Sequence, residues 1–164
     1  MKKWIKRIFL TLLAVFVVIQ LVPVDRTNPP VDPAKKLQPP PEVEAILREA
    51  CYDCHSNETR WPWYSYVAPV SWWIANHVQD GRRGLNLSDW ADLKPGLEDT
   101  QLNGQPYTAV EYKRKILSDM ETDMQEGRMP IASYLLIHHD ARVTPEQYRV
   151  VSDWLDGVMS QGSK

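Results

Sequence analysis

Both cysteines of the chain fall in one pentapeptide, CYDCH at residues 51–55, with a histidine directly after the second. A redox dithiol would sit beside a βαβ pattern, and no alternating strands or buried sheet run flank this stretch. A structural zinc site needs four ligands, and Cys51, Cys54 and His55 would have to borrow one from His77, His138 or His139 without a second CxxC. A Cys51–Cys54 disulfide would close a small strained ring and leave His55 unexplained. The spacing best fits covalent attachment of haem, in which two thiols add to the vinyl groups and the adjacent imidazole ligates iron from the proximal side.

The thiols need a support that turns them the same way. In EVEAILREACYDCH, Val43, Ile46, Leu47 and Ala50 recur as one helical face, and Glu42 and Glu44 occupy the first turn, where the helix dipole favours acids. A helix continued through Cys54 places the cysteines at i and i+3 and His55 at i+4, so all three address one object. Residues 61–73, WPWYSYVAPVSWW, then supply four tryptophans and two tyrosines, flat apolar side chains with polar edges that suit covering a porphyrin.

Opposite the proximal histidine a sixth iron ligand is needed. Residues 105–127 read as a helix with Gly127 as its stop, and Met120 and Met124 at i, i+4 read as core. Met129 follows that stop and precedes Pro130 on an irregular segment, which makes it the preferred distal ligand. His77 in SWWIANHV is the alternative distal ligand, and His138 and His139 are weaker candidates. The last helix opens with Thr144 as N-cap, Pro145 at the first position and Gln147 completing a capping box, with Tyr148, Val151, Trp154, Leu155 and Val158 on one face. Its stripe matches that of the helix before the cysteines.

The combination of CYDCHS at 51–56, Pro62-Trp63-Tyr64, Ser71-Trp72-Trp73 with His77, LNLSDW at 85–90, RMP at 128–130 and YLLIHHDARVT at 134–144 resembles a small bacterial haem-binding domain family, over Glu42 to Trp154. His139 departs from the family's usual residue. The resemblance implies haem binding through Cys51, Cys54 and His55, and mostly membrane-anchored, exported members. It implies no established reaction.

Around this domain the chain carries two further segments. Residues 1–7 hold four basic side chains, and the run from Ile8 to Val22 holds no charge. Residues 1–22 therefore read as a signal-anchor, a single transmembrane helix with a cytoplasmic N-terminus; a cleaved signal peptide is the rival reading, less favoured because the following VPVDRTNPP offers no small-x-small cleavage site. Residues 23–41 contain seven prolines in nineteen positions and read as an extended linker. Residues 42–164 are the domain. After Arg26 there are 14 Lys and Arg against 20 Asp and Glu, an acidic balance that argues against nucleic acid as partner.

The expected fold class is all-α: a cytochrome c-like helical domain wrapped around one covalent haem c, preceded by one N-terminal transmembrane helix. The expected location is the cytoplasmic membrane, single-pass, with the C-terminal domain in the periplasm or another extracytoplasmic space. Such a protein would pass single electrons to a redox partner protein rather than catalyse. A haem enzyme or a gas or redox sensor with an open distal iron site is the alternative.

Overall fold

The computed structural model describes residues 1–95, 101–102 and 105–161, so the end of the 42–164 span falls outside the described residues. Among these the chain is mostly helical, with helices α1 (Lys2–Ile19), α2 (Pro41–Ala50), α3 (Tyr52–His55), α4 (Val70–Gly84), α5 (Ala109–Gln125), α6 (Ala132–Leu135) and α7 (Pro145–Gln161). Strands β1 (Gln101–Leu102) and β2 (Gln105–Pro106) pair antiparallel.

Helix α2 begins with Pro41 at its first position, where a missing N–H costs nothing, and buries Val43, Ile46 and Leu47. These meet Val151 and Leu155 of α7, both fully buried, together with Leu117 of α5. Thr144 caps α7 as the capping box requires: its backbone N–H donates to Gln147 Oε1, and Gln147 N–H donates to Thr144 Oγ1. Helices α2, α5 and α7 thus enclose an apolar core on one side of the cysteine motif, and α4 packs against α3 on another.

Helix α5 starts later than residue 105. Pro106 sits in β2, and Thr108 acts as N-cap in a capping box with Glu111. The helix stops where glycine demands it. Gly127 takes φ +67°, its N–H donates to the Met124 carbonyl, and the Arg128 N–H donates to the Asp123 carbonyl, a Schellman ending.

The proline-rich stretch is largely extended, apart from a turn in which the Lys35 and Lys36 N–H groups donate to the Asp32 carbonyl, and it lies on the domain. The Leu37 N–H donates to the Leu87 carbonyl at 2.8 Å, Ala91 N–H donates to Lys35 O at 2.9 Å, and Asn28 Nδ2 donates to Thr59 O at 2.9 Å. Leu37 is itself part of the core. The stretch forms a strap across the surface.

The N-terminal expectation is overturned: among the described residues no helix is long and apolar enough to cross a membrane. The first two turns of α1 carry Lys2, Lys3, Lys6 and Arg7, and the helix closes at Ile19. Its uncharged part, Ile8 to Ile19, is about 18 Å long at the rise of an α-helix, against a hydrocarbon layer of roughly 30 Å. Beyond it Gln20 turns back to the domain, its amide donating to the Ala68 carbonyl and accepting from the Ala68 N–H. The transmembrane element of the expected fold class falls, and with it the single-pass placement at the cytoplasmic membrane.

Packing and charge make two measurable statements. Leu155→Ala should cost about 2–5 kcal/mol in denaturant unfolding, whereas Val110→Ala on the exposed face of α5 should stay within about 0.5 kcal/mol. Glu44 accepts from Lys36 Nζ at 2.9 Å and from Arg48, and the hydrogen bond from Lys36 is the first reason its carboxyl lies below the usual carboxylate range. Because the folded state holds Glu44 ionised more readily than the unfolded chain, that stabilisation is present above its ordinary value near 4.5 and is lost as pH falls below it. Unfolding midpoints across this acid range should flatten in Glu44→Gln.

Candidate functional site

At Cys51 the backbone leaves the helical region, with φ −123° and ψ −35°, which separates α2 from the single turn of α3. The turn is closed all the same. The N–H groups of Cys54 and His55 both donate to the Cys51 carbonyl, at 3.2 and 2.9 Å. Cys51, Cys54 and His55 consequently present one face, and both thiols are free.

That face lines a hollow of about 370 Å³ whose wall also includes His77, Met129 and Tyr134. Two further hollows share parts of this wall. One, of about 190 Å³, is bounded by Cys51, His55, Met120, Met124 and Met129; the other, of about 270 Å³, by Cys54, Trp61, Trp63, Trp73, His77 and Tyr134. All five residues expected at the site, Cys51, Cys54, His55, Met129 and His77, thus border the 370 Å³ hollow. Met120 and Met124 pack against the apolar core and also face the smaller hollow. Two of the tryptophans at the aromatic hollow are well exposed, Trp63 at 78% and Trp73 at 46%.

The orientation of His55 is set by a neighbour. Its Nδ1 lies 3.1 Å from the Leu85 carbonyl, an acceptor only, so Nδ1 carries the proton and Nε2 is left with a free lone pair. Burial depresses the imidazole's proton affinity below the ordinary histidine value, which keeps that lone pair available. Burial also pushes the Cys51 thiol up to about 12, with Cys54 adding to the shift, and the Cys54 thiol up to about 11. Both sulfurs are protonated at neutral pH. Neither thiol is activated as a free thiolate nucleophile by its surroundings. Among the described residues no group of three or more His, Cys, Asp and Glu could hold a metal ion.

Behind the motif, α4 comes close because Gly81 lets it. A β-carbon at Gly81 would stand 2.6 Å from the Cys54 carbonyl oxygen. The segment Leu85–Asp89 continues the contact: Leu87 N–H donates to the His55 carbonyl at 2.8 Å, and the Asn57 N–H donates to Ser88 Oγ at 3.0 Å. Sequence reasoning placed no function on Gly81 or on the Leu85–Asp89 stretch, and the only sign was the quoted LNLSDW string.

The remaining histidines sit differently. His77 donates from Nδ1 to its own helix at the Trp73 carbonyl, 2.9 Å away, and its ring lies 4.2 Å from that of Trp73. His138 is hydrogen-bonded through Nε2 to the Tyr64 hydroxyl and stacked on Tyr134 at 4.2 Å, while the Tyr134 hydroxyl donates to Asp53 Oδ2 at 2.8 Å. His139 is exposed in a short 3₁₀ turn. Met129 is 38% exposed, and its N–H donates to the Asp123 carbonyl at 3.1 Å, tying it to the end of α5.

The residues fit a haem. A hollow with a largely apolar wall, bordered also by Asp53 and Asp80, carries two thiols at one edge, an imidazole with a free Nε2 and a thioether from a different element. A helical domain that gathers this set defines a class of cofactor-binding module. Comparison with known families agrees: the model of the haem-binding domain matches residues 14–157, so the chain belongs to that family, and the match takes in the strap. No curated protein and no solved structure matches the chain.

Gly81→Ala should therefore destabilise the protein by about 1–3 kcal/mol through overpacking against the Cys54 carbonyl, and should lower haem content per chain. Gly84→Ala, with open space around it, should leave both unchanged; denaturant titration and haem quantification check the pair.

Proposed function

We propose that the chain holds one haem c through thioether bonds from Cys51 and Cys54, with His55 Nε2 as proximal ligand and Met129 as distal ligand, and serves as a one-electron carrier. The observation that carries this reading is the hollow that Cys51, Cys54, His55 and Met129 line together, with the Nδ1 of His55 already engaged by Leu85. Cys51 and Cys54 would hold the haem as thioethers, an addition of S–H to each vinyl that needs no oxidant. Bound haem supplies one-electron chemistry at its iron.

The residues of this chain do the rest. Cys51 and Cys54 keep the group from dissociating, and the Leu85 carbonyl holds His55 in one tautomer and makes it a better donor. Met129, a soft thioether held beside the end of α5, favours the reduced state and raises the potential. The partner is a redox protein, and the acidic balance of the chain after Arg26 suits a basic docking face.

His77 supports a second assignment for the distal position, because it borders the same hollow and its bond to Trp73 leaves Nε2 open. With histidine on both sides the potential would be lower.

Expression of the full chain with a haem-attachment system tests both. Haem should stay with the denatured wild type, should remain attached by a single thioether in Cys51→Ala or Cys54→Ala, and should be released from the double variant. In the ferric protein a weak long-wavelength sulfur-to-iron band should be present and should vanish in Met129→Ala but persist in His77→Ala. Release of haem from the denatured wild type overturns covalent attachment. A high-spin ferric spectrum that changes on adding carbon monoxide or peroxide after reduction or as isolated overturns the carrier reading and establishes an open site for a sensor or enzyme.

A further inference from the structure

We infer that Arg82 is a positioning residue for the axial imidazole, holding the ring of His55 at one rotation by clamping the backbone that leaves the CxxCH motif. The inference rests on the proposed ligation of haem iron by His55. Its ground is the set of acceptors around one guanidinium. Nε donates to the Ser56 carbonyl at 2.7 Å, Nη1 to the Thr27 carbonyl at 2.9 Å, and Nη2 to Asn28 Oδ1 and Thr59 Oγ1, each at 2.8 Å.

Four bonds from a rigid planar fork fix an angle as well as a distance. They join three pieces of chain: the strap at Thr27 and Asn28, the residue directly after His55, and Thr59 beyond it. Arg82 also sits between two other contacts of the same helix end. Gly81 touches the Cys54 carbonyl, and Leu85 accepts from His55 Nδ1. One helical turn therefore grips the motif backbone before and after His55 and the imidazole itself. The Arg82 bond fixes the carbonyl one residue beyond His55; without it that stretch of backbone can shift and tilt a ring whose own peptide stays held by the Leu87 N–H and whose Nδ1 stays held by Leu85.

A guanidinium in this place is partly withdrawn from water, which lowers its proton affinity, and the four acceptors offset that cost. A lysine could supply the charge but could not reach four acceptors in one plane. Charge and geometry are separable.

The test uses the full haem-loaded chain. In the ferric protein, proton NMR reads the spread of the haem methyl resonances, which follows the plane of the axial imidazole. Arg82→Lys and Arg82→Gln should both redistribute the methyl shifts. Asn28→Ala and Thr59→Val, which keep Arg82 and remove one acceptor each, should shift them the same way by less. A methyl pattern in Arg82→Lys identical to wild type, with stability alone reduced, overturns the inference and makes Arg82 a structural cation. If the Arg82 variants do not fold, the Asn28 and Thr59 variants decide by the same criterion. A wild type without covalent haem fails the underlying reading instead, and the denatured-state haem assay shows which has failed.

Discussion

The hydrogen bond from His55 Nδ1 to the Leu85 carbonyl is the constraint on which the arrangement turns. It decides which nitrogen is free, which way that nitrogen points and how far α4 must approach the motif. The approach in turn demands a residue without a side chain at position 81, because the Cys54 carbonyl occupies the space a β-carbon would fill. Downstream, the chain must turn at once after α4, so that the Leu87 N–H can meet the His55 carbonyl. A helix end, a glycine and a loop thus all bear on the position of one imidazole.

Much of this was legible in the residue order, and the reasons are local. The stripe Val43, Ile46 and Leu47, the capping box at Thr144 and the glycine stop at 127 each depend on neighbours a few residues away, and all three are found. The gathering of Cys51, Cys54 and His55 follows from one helical turn in the same way. The roles of Gly81, Arg82 and Leu85 were not legible, since each acts on a partner 26 to 30 residues distant and no short-range pattern announces the meeting. The length of α1 was misjudged for a related reason. Hydropathy counts an uncharged run up to Val22, while the helix itself ends at Ile19, where Gln20 is held by Ala68.

The strap shows how composition can conceal a tertiary role. Seven prolines in nineteen residues dictate an extended backbone, and an extended backbone exposes its amides and carbonyls to whatever lies alongside. Here the Asn28 side chain, the Thr27 carbonyl and the Leu37 N–H find partners on three different parts of the domain. Leu37 then enters the core beside Leu87 and Leu47. Stiffness lowers the entropy lost on docking.

The motif also divides the molecule into two unlike halves. On the side of α2, α5 and α7 the apolar side chains are closed upon one another, with Leu47, Val151 and Leu155 wholly out of contact with water. On the side of Trp63, Trp73 and Ile131 the side chains line open hollows among the described residues. One half is thus closed by the chain's own side chains, while on the other Cys51 and Cys54 stand at the rim of a hollow whose walls a bound haem would draw into a single packed body.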